Sequence, residues 1–255
     1  MGGLLAYQFD WSIIPPIFPS LLQGLELTLE ITVVTIAVSM VVAVPLALAR
    51  MATVTIIRWP AQLYIEIFRG TPLLVQLIWV YYALPVVLGI NLPAFIAVVI
   101  ALSANLTAFM AEAYRAGFPA VPKEHLEAAQ VVGLRRVDQI RFVTVPQALR
   151  QQIPVILSLN ISLFKDSSLV STLGVADLTY KGNIESSILF RPMEIYTTIA
   201  AIYFIIAFPA TLITSAIERR MLAGQEGQTP NRPRGARSLM LKLLPTHLLF
   251  GGFGG

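Results

Sequence analysis

Three long stretches of this chain carry no Asp, Glu, Lys or Arg: residues 31–49, 70–111 and 195–217, with lengths of 19, 42 and 23. Ionised side chains are costly to bury in hydrocarbon, so charge-free runs of this length are what a bilayer selects. The bilayer core is about 30 Å thick, and roughly 20 apolar helical residues cross it. The longest run exceeds one crossing, and Pro85, Gly89, Asn91 and Pro93 mark a turn inside it. Charged residues are 13% of the 255 and hydrophobic ones 56%, whereas soluble domains carry roughly 25% charged residues. A soluble chain this apolar would lack the polar surface to cover itself.

The expected fold is therefore an all-α integral membrane domain of about five spans, near 21–48, 61–84, 94–114, 146–169 and 195–217. The transmembrane domain covers 1–222, and 223–255 is a basic, Gly- and Pro-rich cytoplasmic tail. Lys and Arg distribution sets the orientation. With the N-terminus outside, 15 of the 18 Lys and Arg fall on inner segments, which predicts N-out and C-in. The net charge of +4 is then a topological signal and does not imply nucleic acid.

Several functions are excluded or disfavoured. There are no cysteines, and His125 and His247 lie far apart without metal-ligand spacing, so no metal is expected. No paired intramembrane carboxylates stand at catalytic spacing, which argues against a membrane enzyme. Residues 1–22 contain no Lys or Arg, so they do not read as a secretory signal peptide. Pro15, Pro16 and Pro19 are expected to break any short apolar helix there.

The segment 115–150 is too charged to span and too patterned for a plain linker. Pro122 suits a helix start, 123–132 reads as a short helix, and Gly133 suits its stop. Ala128 and Ala129 would permit close approach by another surface. Two readings remain at this level: an amphipathic helix resting on headgroups, or a lever arm inserted into a partner.

The spacing Glu127-Ala128-Ala129, then Gly133, then Val143-Thr144-Val145-Pro146 resembles the EAA loop of bacterial ABC importer permeases, with Val143 and Val145 in place of Ile and Leu. Tyr64-Ile65-Glu66-Ile67-Phe68-Arg69-Gly70-Thr71-Pro72-Leu73-Leu74-Val75-Gln76 and Phe164-Lys165-Asp166-Ser167-Ser168-Leu169 are similar to segments of the polar amino-acid branch of that family. Phe9-Asp10-Trp11 followed by Leu21-Leu22-Gln23-Gly24-Leu25 is similar to that branch too. The resemblance covers about residues 7–222.

It implies a type I importer transmembrane domain in the bacterial cytoplasmic (inner) membrane. The implied partners are cytoplasmic ABC ATPase subunits, a second permease subunit (identical or homologous) and a periplasmic or lipid-anchored amino-acid-binding protein. This chain has no G-x-x-x-x-G-K-[ST], so ATP and Mg would be bound by the partner ATPase and no cofactor by this chain. Glu127, Ala128, Ala129, Gly133 and Pro146 are the expected docking residues. The competing reading is a stand-alone ion-coupled carrier or channel, which leaves the Glu127–Gly133 spacing unexplained.

Polar groups inside apolar helices are functional candidates, because their burial is costly. Here they are Asn105, Glu112, Asn160, Lys165, Asp166 and Ser167. Asn105 and Glu112 are seven apart, as are Asn160 and Ser167, so each pair shares a helix face. The bland alternatives are specific. Glu112 would pair with Arg115, Lys165 would snorkel, and the asparagines would bond neighbouring helices.

Overall fold

A computed structural model describes residues 7–118 and 121–226, so most of the basic tail expected at 223–255 lies outside the described residues. The first compact unit runs to Ala216; in the second, the described residues are the end of one helix. A short 3-10 turn, Trp11–Ile13, leads into α1 (Ile14–Arg50). Next come α2 (Thr55–Gly70), α3 (Leu73–Leu88), α4 (Ala94–Gly117) and α5 (Lys123–Val131). The chain ends in α6 (Arg136–Leu173), α7 (Leu178–Leu189) and α8 (Pro192–Glu226).

Among the described residues, four helices are long and apolar enough to cross a bilayer: Trp11–Arg50, Ala94–Gly117, Arg136–Leu173 and Pro192–Met221. The pair α2 and α3 makes a fifth if counted as one broken span.

The N-terminal prolines do not break α1, contrary to expectation. Pro15 and Pro16 occupy its first turn, where N–H groups have no intrahelical partner in any case. The 37 residues of α1 measure about 55 Å, well beyond the bilayer core.

Apart from Ile17, Leu21 and Ile31, the buried stripe of α1 consists of small residues: Gly24, Thr28, Thr32, Thr35, Ser39, Ala43 and Ala47. Lipid tails are as apolar as leucine, so membrane helices associate by close packing, which small side chains allow. This stripe packs on α4, where Ala97, Ala101, Leu102, Met110 and Ala111 are buried. The hydroxyls of Thr28 and Thr32 donate back to the carbonyls of Gly24 and Thr28, so they bury no unpaired donor.

At Gly24 the α1 backbone meets the start of α7. A Cβ there would lie 2.7 Å from the Asp177 carbonyl oxygen and 2.8 Å from Leu178 Cα. Thr28 Oγ1 accepts from the Leu178 N–H at 3.1 Å, and Asp177 Oδ1 caps α7 by accepting from the Tyr180 N–H at 2.8 Å. Asp177 is fully buried, and its Oδ2 has no hydrogen-bond partner. Burial pushes its carboxyl up to about 6, against the pull of the capping N–H groups.

A raised folded-state carboxyl makes the fold most stable when protonated. Stability should therefore fall as pH rises between about 4 and about 6, then level off. Asp177→Asn keeps a capping oxygen and removes the buried charge. The variant should melt higher than wild type at pH 8 and equally at pH 4. Thermal melts in detergent across that range check this; a lower midpoint at pH 8 would refute the assignment.

Candidate functional site

The expected single span near 61–84 is two helices bent by 110° at Thr71 and Pro72. Pro72 has no N–H, so the Phe68 carbonyl one turn earlier loses its helical donor. Side chains replace it. Gln76 Nε2 donates to Phe68 O at 2.9 Å, Thr71 O at 3.0 Å and Thr71 Oγ1 at 2.7 Å. Asn105 Nδ2, from the middle of α4, donates to Phe68 O and to Gln76 Oε1, each at 3.0 Å. Tyr64 adds a bond from its hydroxyl to Ala104 O at 2.9 Å. Asn105 is thus committed to holding a broken helix. Gln76 and Thr71 were missed from sequence, although Gly70-Thr71-Pro72 is a legible break signal.

The remaining polar candidates go to different places. Glu112 accepts from Arg115 Nε at 2.9 Å and from its Nη2, so it is paired within its own helix. Asn160 lines a gap of about 320 Å³ between α1, α6 and α8, with Leu29, Phe164, Ala207 and Ala210, and its buried Oδ1 has no partner. Lys165 and Asp166 are exposed. Ser167 is fully buried and donates to Phe164 O at 2.7 Å. Asn105 and Asn160 therefore belong to two separate environments.

From Val121 to Thr144 the chain is folded into short helices and a defined corner. Gly117 sits so close to α6 that a Cβ would lie 2.7 Å from Ala148 O. In α5, Glu127 and Ala128 are exposed, whereas Ala129 is buried against its own chain. Gly133 has φ +79°. The Leu134 N–H bonds Ala129 O at 3.1 Å and the Gly133 N–H bonds Gln130 O at 2.9 Å. That pair of bonds is a Schellman motif, which satisfies carbonyls left free at a helix end. Gln139 Nε2 donates to Leu134 O at 2.8 Å, and His125 Nδ1 lies 2.8 Å from Gln147 Oε1. The His125–Gln147 contact ties α5 to α6, and the Gln139 bond ties the Gly133 corner to α6.

After an α-helical start at Arg136–Asp138, α6 passes through a π-helical stretch, Gln139–Thr144, that ends two residues before exposed Pro146. A wider turn accommodates the missing Pro146 N–H and its ring. Around Gly133, Val131, Val132 and Val137 are 88%, 80% and 72% exposed. Arg135, Arg136, Glu124 and Glu127, close by in sequence, are exposed too. Exposed apolar surface of this kind marks a protein or membrane contact. Among the described residues no group of three or more His, Cys, Asp or Glu is arranged to hold a metal ion.

Residues 36–223 match the protein family described as the binding-protein-dependent transport system inner membrane component. The chain is 36% identical over 215 residues to the glutamine transport system permease protein GlnP of Escherichia coli (strain K12), covering 84% of this chain and 98% of that one. It is 33% identical over 214 residues to the arginine transport system permease protein ArtQ of Bacillus subtilis (strain 168), with the same coverage of 84% and 98%. It also superposes on a chain from the crystal structure of an amino acid ABC transporter with histidines. There the TM-score is 0.79 and identity 36%, covering 84% of this chain and all of that one.

Proposed function

The chain belongs to the family of binding-protein-dependent transport system inner membrane components, and we propose from this premise that it carries a polar α-amino acid into the cell. It is a multi-pass permease subunit of an ABC-type importer and has no ATPase activity of its own. Its N-terminus lies outside and its C-terminus inside, as the Lys and Arg distribution favours. That orientation puts α5 in the cytoplasm.

The observation that carries the reading is the exposed apolar patch at the Schellman corner around Gly133, braced against α6. A cytoplasmic ATPase subunit covers it: Glu127 supplies a charged contact and Ala128 close approach. Ala129 and Gly133 shape the corner, and the π-helical stretch before Pro146 transmits its motion into α6. ATP and Mg are held by that ATPase. A second permease subunit completes the path, and an external binding protein delivers the substrate.

Within the membrane, Asn160, Lys165 and Asp166 line the substrate path along α6. Asn105, Glu112 and Ser167 shape it from their bonded positions. Relatives named for glutamine and for arginine support an amino acid as the cargo class.

The test is reconstitution in liposomes with the ATPase subunits and binding protein. Polar amino acids should stimulate ATP hydrolysis and enter only with ATP. Uptake by this chain alone, without ATP, would instead establish a carrier and overturn the proposal.

A further inference from the structure

α2 has three faces, not two. Ala61, Ile65, Tyr64 and Phe68 point into the protein. Arg58, Gln62, Glu66 and Arg69 form a polar stripe at spacings of four, four and three. Ile56, Trp59, Leu63 and Ile67 form a second exposed stripe that is wholly apolar. At 100° per residue these three sets lie about a third of a turn apart.

The apolar stripe starts at a distinctive place. The charge-free run of α1 ends at Arg50, so the α1–α2 corner stands at a membrane boundary. At this corner Val54, Thr55, Ile56, Trp59 and Pro60 line an open notch of about 570 Å³. Ile56 is 84% exposed. No acidic residue occurs anywhere between Glu30 and Glu66, while Arg50 and Arg58 flank the corner. Further along the polar stripe, Glu66 accepts from Gln62 Nε2 at 2.7 Å and Arg69 stacks on the Phe109 ring at 5.4 Å. Arg58 is exposed and makes no ion pair among the described residues.

We infer that this corner binds one anionic phospholipid from the leaflet on the Arg50 side, with its phosphate on Arg58 and an acyl chain along Ile56, Trp59, Leu63 and Ile67. Charge complementarity selects the headgroup. An unpaired guanidinium on a segment with no acidic residue from 31 to 65 favours a net negative lipid over a zwitterionic one. The apolar stripe selects a lipid over a soluble anion, because a free phosphate leaves that stripe uncovered. Trp59 suits the site, since indole rings prefer the headgroup boundary. The site shares no residue with the docking corner or with the substrate-path candidates, and it does not depend on the identity of the cargo.

The experiment uses the purified complex of this chain with its ATPase subunits. Phosphatidylglycerol and phosphatidylcholine are supplied in mixed micelles, and retained lipids are counted by native mass spectrometry. Wild type should retain phosphatidylglycerol in preference. Arg58→Gln should weaken that retention about five-fold, the effect of one basic residue at a membrane surface, and Arg58→Lys should restore most of it. Retention of phosphatidylcholine should not change in either variant. Equal retention of the two lipids by wild type, or no change in Arg58→Gln, would overturn the inference. Displacement of phosphatidylglycerol by millimolar inorganic phosphate would also overturn it, by identifying a plain anion site.

Discussion

Gly133→Asp is expected to abolish transport while the chain remains folded in the membrane. Nothing lies within 4 Å of the position a Cβ would take, so no packing is disturbed. The backbone cost is small, because aspartate tolerates the left-handed region that Gly133 occupies at φ +79°, at about 1 kcal/mol. The effect comes from the partner side. A carboxylate would be introduced among Val131, Val132, Leu134 and Val137, which are exposed here and would be desolvated by the proposed docking. Burying an uncompensated charge at an interface costs about 3 kcal/mol or more, equivalent to over 100-fold in affinity. Co-purification of the ATPase should fail, ATP-driven uptake should disappear, and the melting temperature of the isolated chain should change by only a few degrees. Gly133→Ala separates the two costs, since it keeps the strain without the charge and should retain measurable uptake. Wild-type association in Gly133→Asp would remove this corner from the docking surface.

Asn105→Leu is expected to destabilise the membrane domain itself. The variant removes the donor to Phe68 O and Gln76 Oε1, and a buried group stripped of its partner costs about 1–3 kcal/mol. Gln76 still reaches Phe68 O, so the carbonyl is not left bare. Adding Gln76→Leu removes that second donor and leaves the Phe68 carbonyl bare, so the double variant should be less stable than either single variant. Thermal melts measure the loss, and transport should fall in step with stability at unchanged KM for the amino acid. A raised KM with an unchanged melting temperature would make Asn105 a substrate contact and not a brace of the α2–α3 break.

The same distinction runs through all the polar candidates. Their cost of burial was legible from composition, and that cost makes them stand out in apolar helices. Whether the cost is met by a neighbouring helix, by the same helix or by cargo was not legible, because it depends on partners far away in the chain. Asn105 found Phe68 and Gln76 across 37 and 29 residues. Glu112 found Arg115 three residues on, a pairing that helix geometry alone anticipates. Asp177 went unnoticed in sequence because it lies in a polar connection, where a carboxylate is ordinary. Only the approach of Gly24 and Leu178 makes it a buried acid.

By itself the amino-acid sequence determined that the chain is helical and enters a bilayer, because hydrocarbon excludes charge and forces backbone groups to pair within each helix. It also determined the spacing of the loop around Gly133, since a short helix with its stop signal is a local property of the chain. Tertiary structure decided the rest. The broken span is held by Gln76 of α3 together with Asn105 of α4, and α1 packs largely through small residues that carry no strong hydrophobic signature. Ala129 turns inward while Val131, Val132 and Val137 turn out, which brings an apolar patch to the surface at the corner. These outcomes depend on which faces meet in space, and the chain acquires that property only once its helices have packed.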